Sequence, residues 1–148
     1  MGKYEHGQRM VIAGGGEVGC ETATLLAATG VYDLTVVEMR DQLMQDMGGV
    51  QMPAKDTIFS IMKQYGVKSY TNAKVCSITD DSVIIKKDGV SLALPVDQVV
   101  IAMGYRPVNN LCSEIEDICK EVYTIGGAVK TSNALDAIHD GFDVGMKI

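Results

Sequence analysis

Residues 11–23 read VIAGGGEVGCETA, and few folds accommodate that order. A β-branched apolar run stops on three consecutive glycines and gives way to small, helix-compatible residues. This predicts a strand, a tight turn, and a helix whose small side chains let it lie close on a sheet. Gly14, Gly16 and Gly19 form G-x-G-x-x-G. The first permits the tight turn, the second lets a phosphate reach the backbone, and the third lets helix pack on strand. Gly15 lies inside the turn, and the N–H groups of Gly16, Glu17 and Val18 point where a helix N-terminus favours an anion. With 16 glycines in the chain the spacing alone is a weak signal, and a turn holding no ligand is the plain alternative.

The residues downstream of the turn strengthen the pattern. Gly30 suits a helix stop, and DLTVVE over residues 33–38 reads as a second buried strand ending in an acid. Glu38 stands 19 positions beyond Gly19, close to the roughly 20 expected of a carboxylate that takes hydrogen bonds from an adenosine ribose. A carboxylate there repels the 2′-phosphate of NADP and favours NADH, with NADPH the lesser candidate. Arg40 complicates that choice: it can stack on an adenine, accept a phosphate, or simply sit in solvent. Glu17 stabilises the positive end of the helix dipole. Glu21 is read as lying among packing residues, where a buried carboxylate needs a partner.

Beyond a Met- and Gly-rich stretch at residues 39–52, read as flexible, Pro53 opens a helix with Ile58, Ile61, Met62 and Tyr65 on one face. Gly66 ends it and VKSY starts a third strand. Between residues 71 and 95 no helical period appears, only short alternating strands, with Asp88-Gly89 as a hairpin turn. A three-stranded meander thus replaces one crossover helix of an α/β, Rossmann-like parallel sheet, and DQVVIAMG at residues 97–104 supplies a further strand. Residues 105–118 read as an irregular connection. EVYTIGGA at residues 121–128 reads as another strand, and Thr131, Ser132 and Asn133 as caps for a last helix striped by Leu135, Ile138, Phe142 and Met146.

A chain of 148 residues, 47% hydrophobic, supports one main core. Its net charge of −6, from 13 basic and 19 acidic residues, gives no footprint for nucleic acid or an anionic membrane. No apolar run approaches the roughly 18 residues that cross a bilayer, and no signal-peptide core precedes the first strand, so a cytoplasmic location is expected. Cys20, Cys76, Cys112 and Cys119 form no C-x-x-C pair, and neither His6 nor His139 stands at metal-ligand spacing from them. No metal site is expected.

Taken together, VIAGGGEVGCETA, the VVE strand end, the meander, VVIAMGYRPVN and VYTIGGA…LDAIHDG resemble the pyridine-nucleotide-dependent flavoprotein disulfide oxidoreductase superfamily. Within it they are most similar to the C-terminal part of NADH:flavin oxidoreductases of the 2,4-dienoyl-CoA reductase and enoate reductase type. The resemblance implies a nicotinamide-binding lobe over residues 8–104. It also implies a connection and closing segment, residues 105–148, from an FAD-type lobe whose strand and helix face the flavin nucleotide. It places the NADH pyrophosphate on the backbone of Gly16, Glu17 and Val18 and the ribose on Glu38. The adenine falls near Met39, Arg40 and Val75, the nicotinamide beside Met103-Gly104, and Glu21 near the nicotinamide–flavin contact. Where the family carries Gly-Asp this chain has Gly126-Gly127, which removes a carboxylate used on the flavin and counts against tight FAD binding.

The expectation is therefore an NADH-binding domain, a fragment of a larger flavin-dependent oxidoreductase, that places a nicotinamide for hydride transfer to a flavin. By itself it is expected to catalyse nothing. Its partners would be the dinucleotide and the flavin-bearing domains of its parent, with self-association through the apolar stripe of the last helix. The competing reading is a non-catalytic dinucleotide-binding or redox-sensing module. A first-lobe FAD site fits the early position of the glycines but not the meander.

Overall fold

A computed structural model describes residues 9–30, 33–45 and 52–148, without the Met52 side chain. His6 and the expected start at Gln8 lie outside them. The chain divides into two compact units, one ending at Gly104 and the other Tyr105–Ile148.

The first unit holds a parallel sheet of β1 (Arg9–Ala13), β2 (Asp33–Val37), β3 (Lys68–Tyr70) and β7 (Gln98–Ile101), in the order β3-β2-β1-β7. Helix α1 (Glu17–Ala28) connects β1 to β2, and α2 (Met52–Gln64) leads to β3. An antiparallel meander, β4 (Ala73–Ile78), β5 (Ser82–Lys87) and β6 (Val90–Pro95), precedes β7. This is the α/β, Rossmann-like architecture with a meander in place of a crossover helix.

Side-chain alternation along the strands explains the layering. Met10, Ile12, Leu34 and Val36 face the helices and pack with Cys20, Ala23, Ala27 and Met62. Val11 and Val37 point the other way, onto Ala73, Val83, Ile85 and Val96 of the meander side. Each fully buried Ile or Val contributes about 1.5–3 kcal/mol, so both faces of the sheet must be covered. Asp88 and Gly89, at φ +51° and +82°, form the two-residue turn between the paired Lys87 and Val90, as a primed hairpin turn requires. Gly30 and Gly66 end their helices at positive φ.

Helix α1 seats Gly19, Cys20, Ala23 and Ala27 against the sheet with Leu26 beside them, while Val18 and Leu25 are 60% and 65% exposed. Two local readings need correction. Residues 39–45 are not a loose tether: the Met44 side chain is fully buried and its N–H donates to the Gly15 carbonyl at 2.7 Å. Burial plus one long-range backbone bond fixes that turn. Glu21 is exposed, so water replaces the partner that burial would have demanded.

In the second unit, the connection contains an unforeseen short helix, α3 (Asn110–Ile115). The strand expected at residues 121–128 is absent: residues 121–125 belong to no regular element, and Gly126–Ala128 is a 3-10 turn. A strand requires a paired neighbour, and no described residue supplies one. Helix α4 (Ala134–Gly145) is capped by Asn133, whose side chain accepts the Asp136 N–H at 2.9 Å. The Asp140 carboxylate accepts the Gly126 N–H at 3.1 Å. Leu135, Ile138, Phe142 and Met146 are all exposed.

Candidate functional site

The glycine turn joins β1 to α1 at the C-terminal edge of the parallel sheet, where open α/β sheets place ligands. Its three motif glycines do different work. Gly14 takes φ +108°, and a Cβ there would collide with the Ala102 carbonyl beyond β7 and come within 3.1 Å of the Met103 nitrogen. A Cβ on Gly19 would strike the Gly14 carbonyl, so helix and turn touch backbone to backbone. At Gly16 a Cβ would meet nothing within 4 Å, so the turn is open on that side.

Gly16 also caps α1, without a side-chain hydrogen bond. The first-turn N–H groups of an α-helix have no intrahelical acceptor, and the dipole adds partial positive charge. The open side of the turn therefore offers unpaired N–H groups and partial positive charge, the chemistry that suits an anion. The exposed Glu17 and Val18 side chains stand at this end.

The closed side of the turn is held by residues distant in sequence. One oxygen of the Glu38 carboxylate accepts the Gly15 N–H at 2.7 Å, and the other accepts the Arg40 N–H at 2.8 Å. The Gly15 carbonyl accepts from Met44 at 2.7 Å and from the Cys20 thiol at 3.4 Å. A side chain on Gly15 would run into Leu43 and come within 2.8 Å of the Glu38 Cβ. Burial, with a smaller push from the Glu38 charge, raises the Cys20 thiol to about 11. Cys20 is thus a neutral packing group under the turn rather than a nucleophile.

Among the residues singled out from sequence, the structure gathers Gly14, Gly15, Gly16, Gly19, Glu38 and the Arg40 backbone around the turn, with Met103 against Gly14. Met39, Arg40, Met103 and Gly104 are exposed. Val75 lies farther along β4, half-buried against the meander core. The β4 chain nevertheless starts beside the Glu38 segment, since Ala73 donates to the Glu38 carbonyl and Asn72 to that of Arg40. Sequence reasoning missed Leu43, Met44, Cys20 and Ala102 as supports of the turn. Their roles depend on long-range contact, which leaves no local signature.

Residues 2–134 match the pyridine nucleotide-disulphide oxidoreductase family. The chain belongs to this family. Members of the pyridine nucleotide-disulphide oxidoreductase family bind FAD and NAD(P)H. The chain is 33% identical over 150 residues to an NADH oxidase from Thermoanaerobacter brockii, covering 98% of this chain and 22% of the relative. It is 29% identical over 148 residues to a cinnamate reductase from Clostridium sporogenes, covering 100% of this chain and 22% of the relative. The solved structure of a 2-naphthoyl-CoA reductase superposes with a TM-score of 0.77 at 30% identity, covering 99% of this chain and 22% of that one. The chain thus spans 22% of the length of each of these proteins. No helix of the described residues is long and apolar enough to cross a membrane.

Proposed function

We propose that this chain is the NADH-binding lobe of a larger flavin-dependent oxidoreductase, close to its C-terminus, and that it presents the nicotinamide to a flavin held by neighbouring domains. One observation carries the reading: Glu38 spans Gly15 and Arg40 with both carboxylate oxygens while the turn stays open at Gly16.

The residues fit a dinucleotide. The α1 N-terminus takes the pyrophosphate through backbone N–H groups, and the open side of Gly16 admits its oxygens. Glu38 has lone pairs left on both oxygens for ribose hydroxyls, and its charge opposes a 2′-phosphate. Met103, beside Gly14, and the Gly104 that follows it border the nicotinamide end. The bound dinucleotide supplies the hydride chemistry, while the chain's residues bind and orient. The relatives named an NADH oxidase and a cinnamate reductase support a redox parent, and the 22% coverage supports a lobe of something larger. Gly126-Gly127 in place of Gly-Asp argues that FAD sits chiefly on the parent's other domains.

Calorimetric titration of the chain with NADH, NADPH and FAD tests the reading. NADH should bind about tenfold more tightly than NADPH, and FAD should be the weakest ligand. Preference for FAD, or no dinucleotide binding, overturns it.

A further inference from the structure

The helix-covered face of the sheet leaves space beside its β3 edge. A shallow, open cavity of about 570 Å³ lies between α2, β3 and the turn that follows Glu38. Leu43, Phe59, Met62 and Val67 give it an apolar floor. Lys55 and Lys63, at i and i+8 on α2 with Phe59 midway, present their side chains to it from one helix face. No acidic residue is among the described residues that line it. In a chain of net charge −6, the described lining residues thus carry two cations and no carboxylate.

Lys55 is half-buried, with its ammonium 5.6 Å from the Phe59 ring centroid and 3.4 Å from the Met44 carbonyl. Both contacts are weak for a cation already partly removed from water. A carboxylate would be a much stronger acceptor for it. The volume falls within the roughly 300–1,000 Å³ of small-molecule pockets, which combine an apolar lining with a few polar groups. Free phosphate would leave the apolar floor unused, and a neutral hydrocarbon would leave the lysines unpaired. The cavity is separate from the glycine turn: Leu43 abuts Gly15 on one side and lines the cavity on the other.

We propose that this cavity binds a small amphipathic carboxylate, its acyl or aryl body on Leu43, Phe59, Met62 and Val67 and its carboxylate paired with Lys55 and Lys63. The site is independent of the dinucleotide reading and stands or falls without it.

An NMR titration of backbone amides in the full chain provides the test, with octanoate as the probe and octanol and octylamine as neutral and cationic counterparts. Octanoate should shift Leu43, Phe59, Met62, Val67 and Ser69 saturably, and about tenfold more tightly than octanol; octylamine should not bind there. Lys63→Gln, at an exposed position, should weaken octanoate about tenfold while leaving octanol unchanged, and Lys55→Gln should do the same. Val67→Phe should fill the space and abolish the shifts, with the amide dispersion of a folded chain retained. Should Val67→Phe or Lys55→Gln fail to fold, Lys63→Gln decides. Equal affinity for octanol and octanoate overturns the proposal. So do octanoate shifts confined to residues 105–148, or no saturable shift up to about 10 mM.

Discussion

The Glu38 carboxylate accepts the Gly15 N–H at 2.7 Å, joining the end of β2 to the middle of the glycine turn. Its second oxygen holds the Arg40 N–H, so one side chain both carries the charge proposed to choose between dinucleotides and fixes the turn that would hold them.

Altering Glu38 should therefore weaken the site instead of switching its preference. Glu38→Gln must turn an amide N–H₂ toward one of two backbone donors, and a part-buried donor left without an acceptor costs about 1–3 kcal/mol. Urea unfolding should report a loss of that size, and calorimetry should show NADH and NADPH both bound more weakly. A variant that keeps wild-type stability while gaining NADPH would show that Glu38 filters charge without bracing the turn.

The motif glycines should respond differently to alanine. Gly16→Ala projects into open space, so stability should change by less than about 0.5 kcal/mol, while dinucleotide affinity falls at least about tenfold as the methyl group meets the phosphates. Gly14→Ala and Gly19→Ala drive a Cβ into backbone carbonyls. Both should lose about 3 kcal/mol or more, and circular dichroism melts separate the two behaviours.

Cys20 should mark the alkaline limit of the fold. The folded chain keeps the thiol proton up to about 11, while an unfolded chain releases it above the ordinary value of 9.0. Below pH 9 the difference has no effect; between pH 9 and 11 it removes about 2–3 kcal/mol of stability. Cys20→Ala should show a shallower decline across that window in urea titrations. At about pH 8 a thiol reagent should label the exposed Cys76 and Cys119 and spare Cys20 in the native chain.

Helix α4 presents Leu135, Ile138 and Phe142, each about 60% exposed or more, and contiguous apolar surface of this kind promotes association. Sedimentation velocity should show species larger than one chain at high concentration, and Phe142→Glu should restore the monomer. Monomeric behaviour of the unsubstituted chain would place this face under cover in solution.

The element order of the unit ending at Gly104, the glycine turn, the meander and the acid after β2 were legible in the sequence, because each arises from local chemistry. Glycine alone accepts φ +108° at Gly14, continuous β-branched apolar runs mark strands buried on both faces, and Asp88-Gly89 suits only a tight hairpin. Residues 121–128 carry strand-like composition yet form no strand, since a ladder needs a partner that composition cannot supply. Glu21 misled for a related reason: the spacing of α1 gives its period, while the close seating of Gly19 against Gly14 sets which side faces water. Tertiary contact alone decided that Met44, Leu43 and Cys20 support Gly15 from behind and that two lysines share an apolar cavity. Those relationships join segments tens of residues apart, and only the folded chain brings their donors, acceptors and charges within reach of one another.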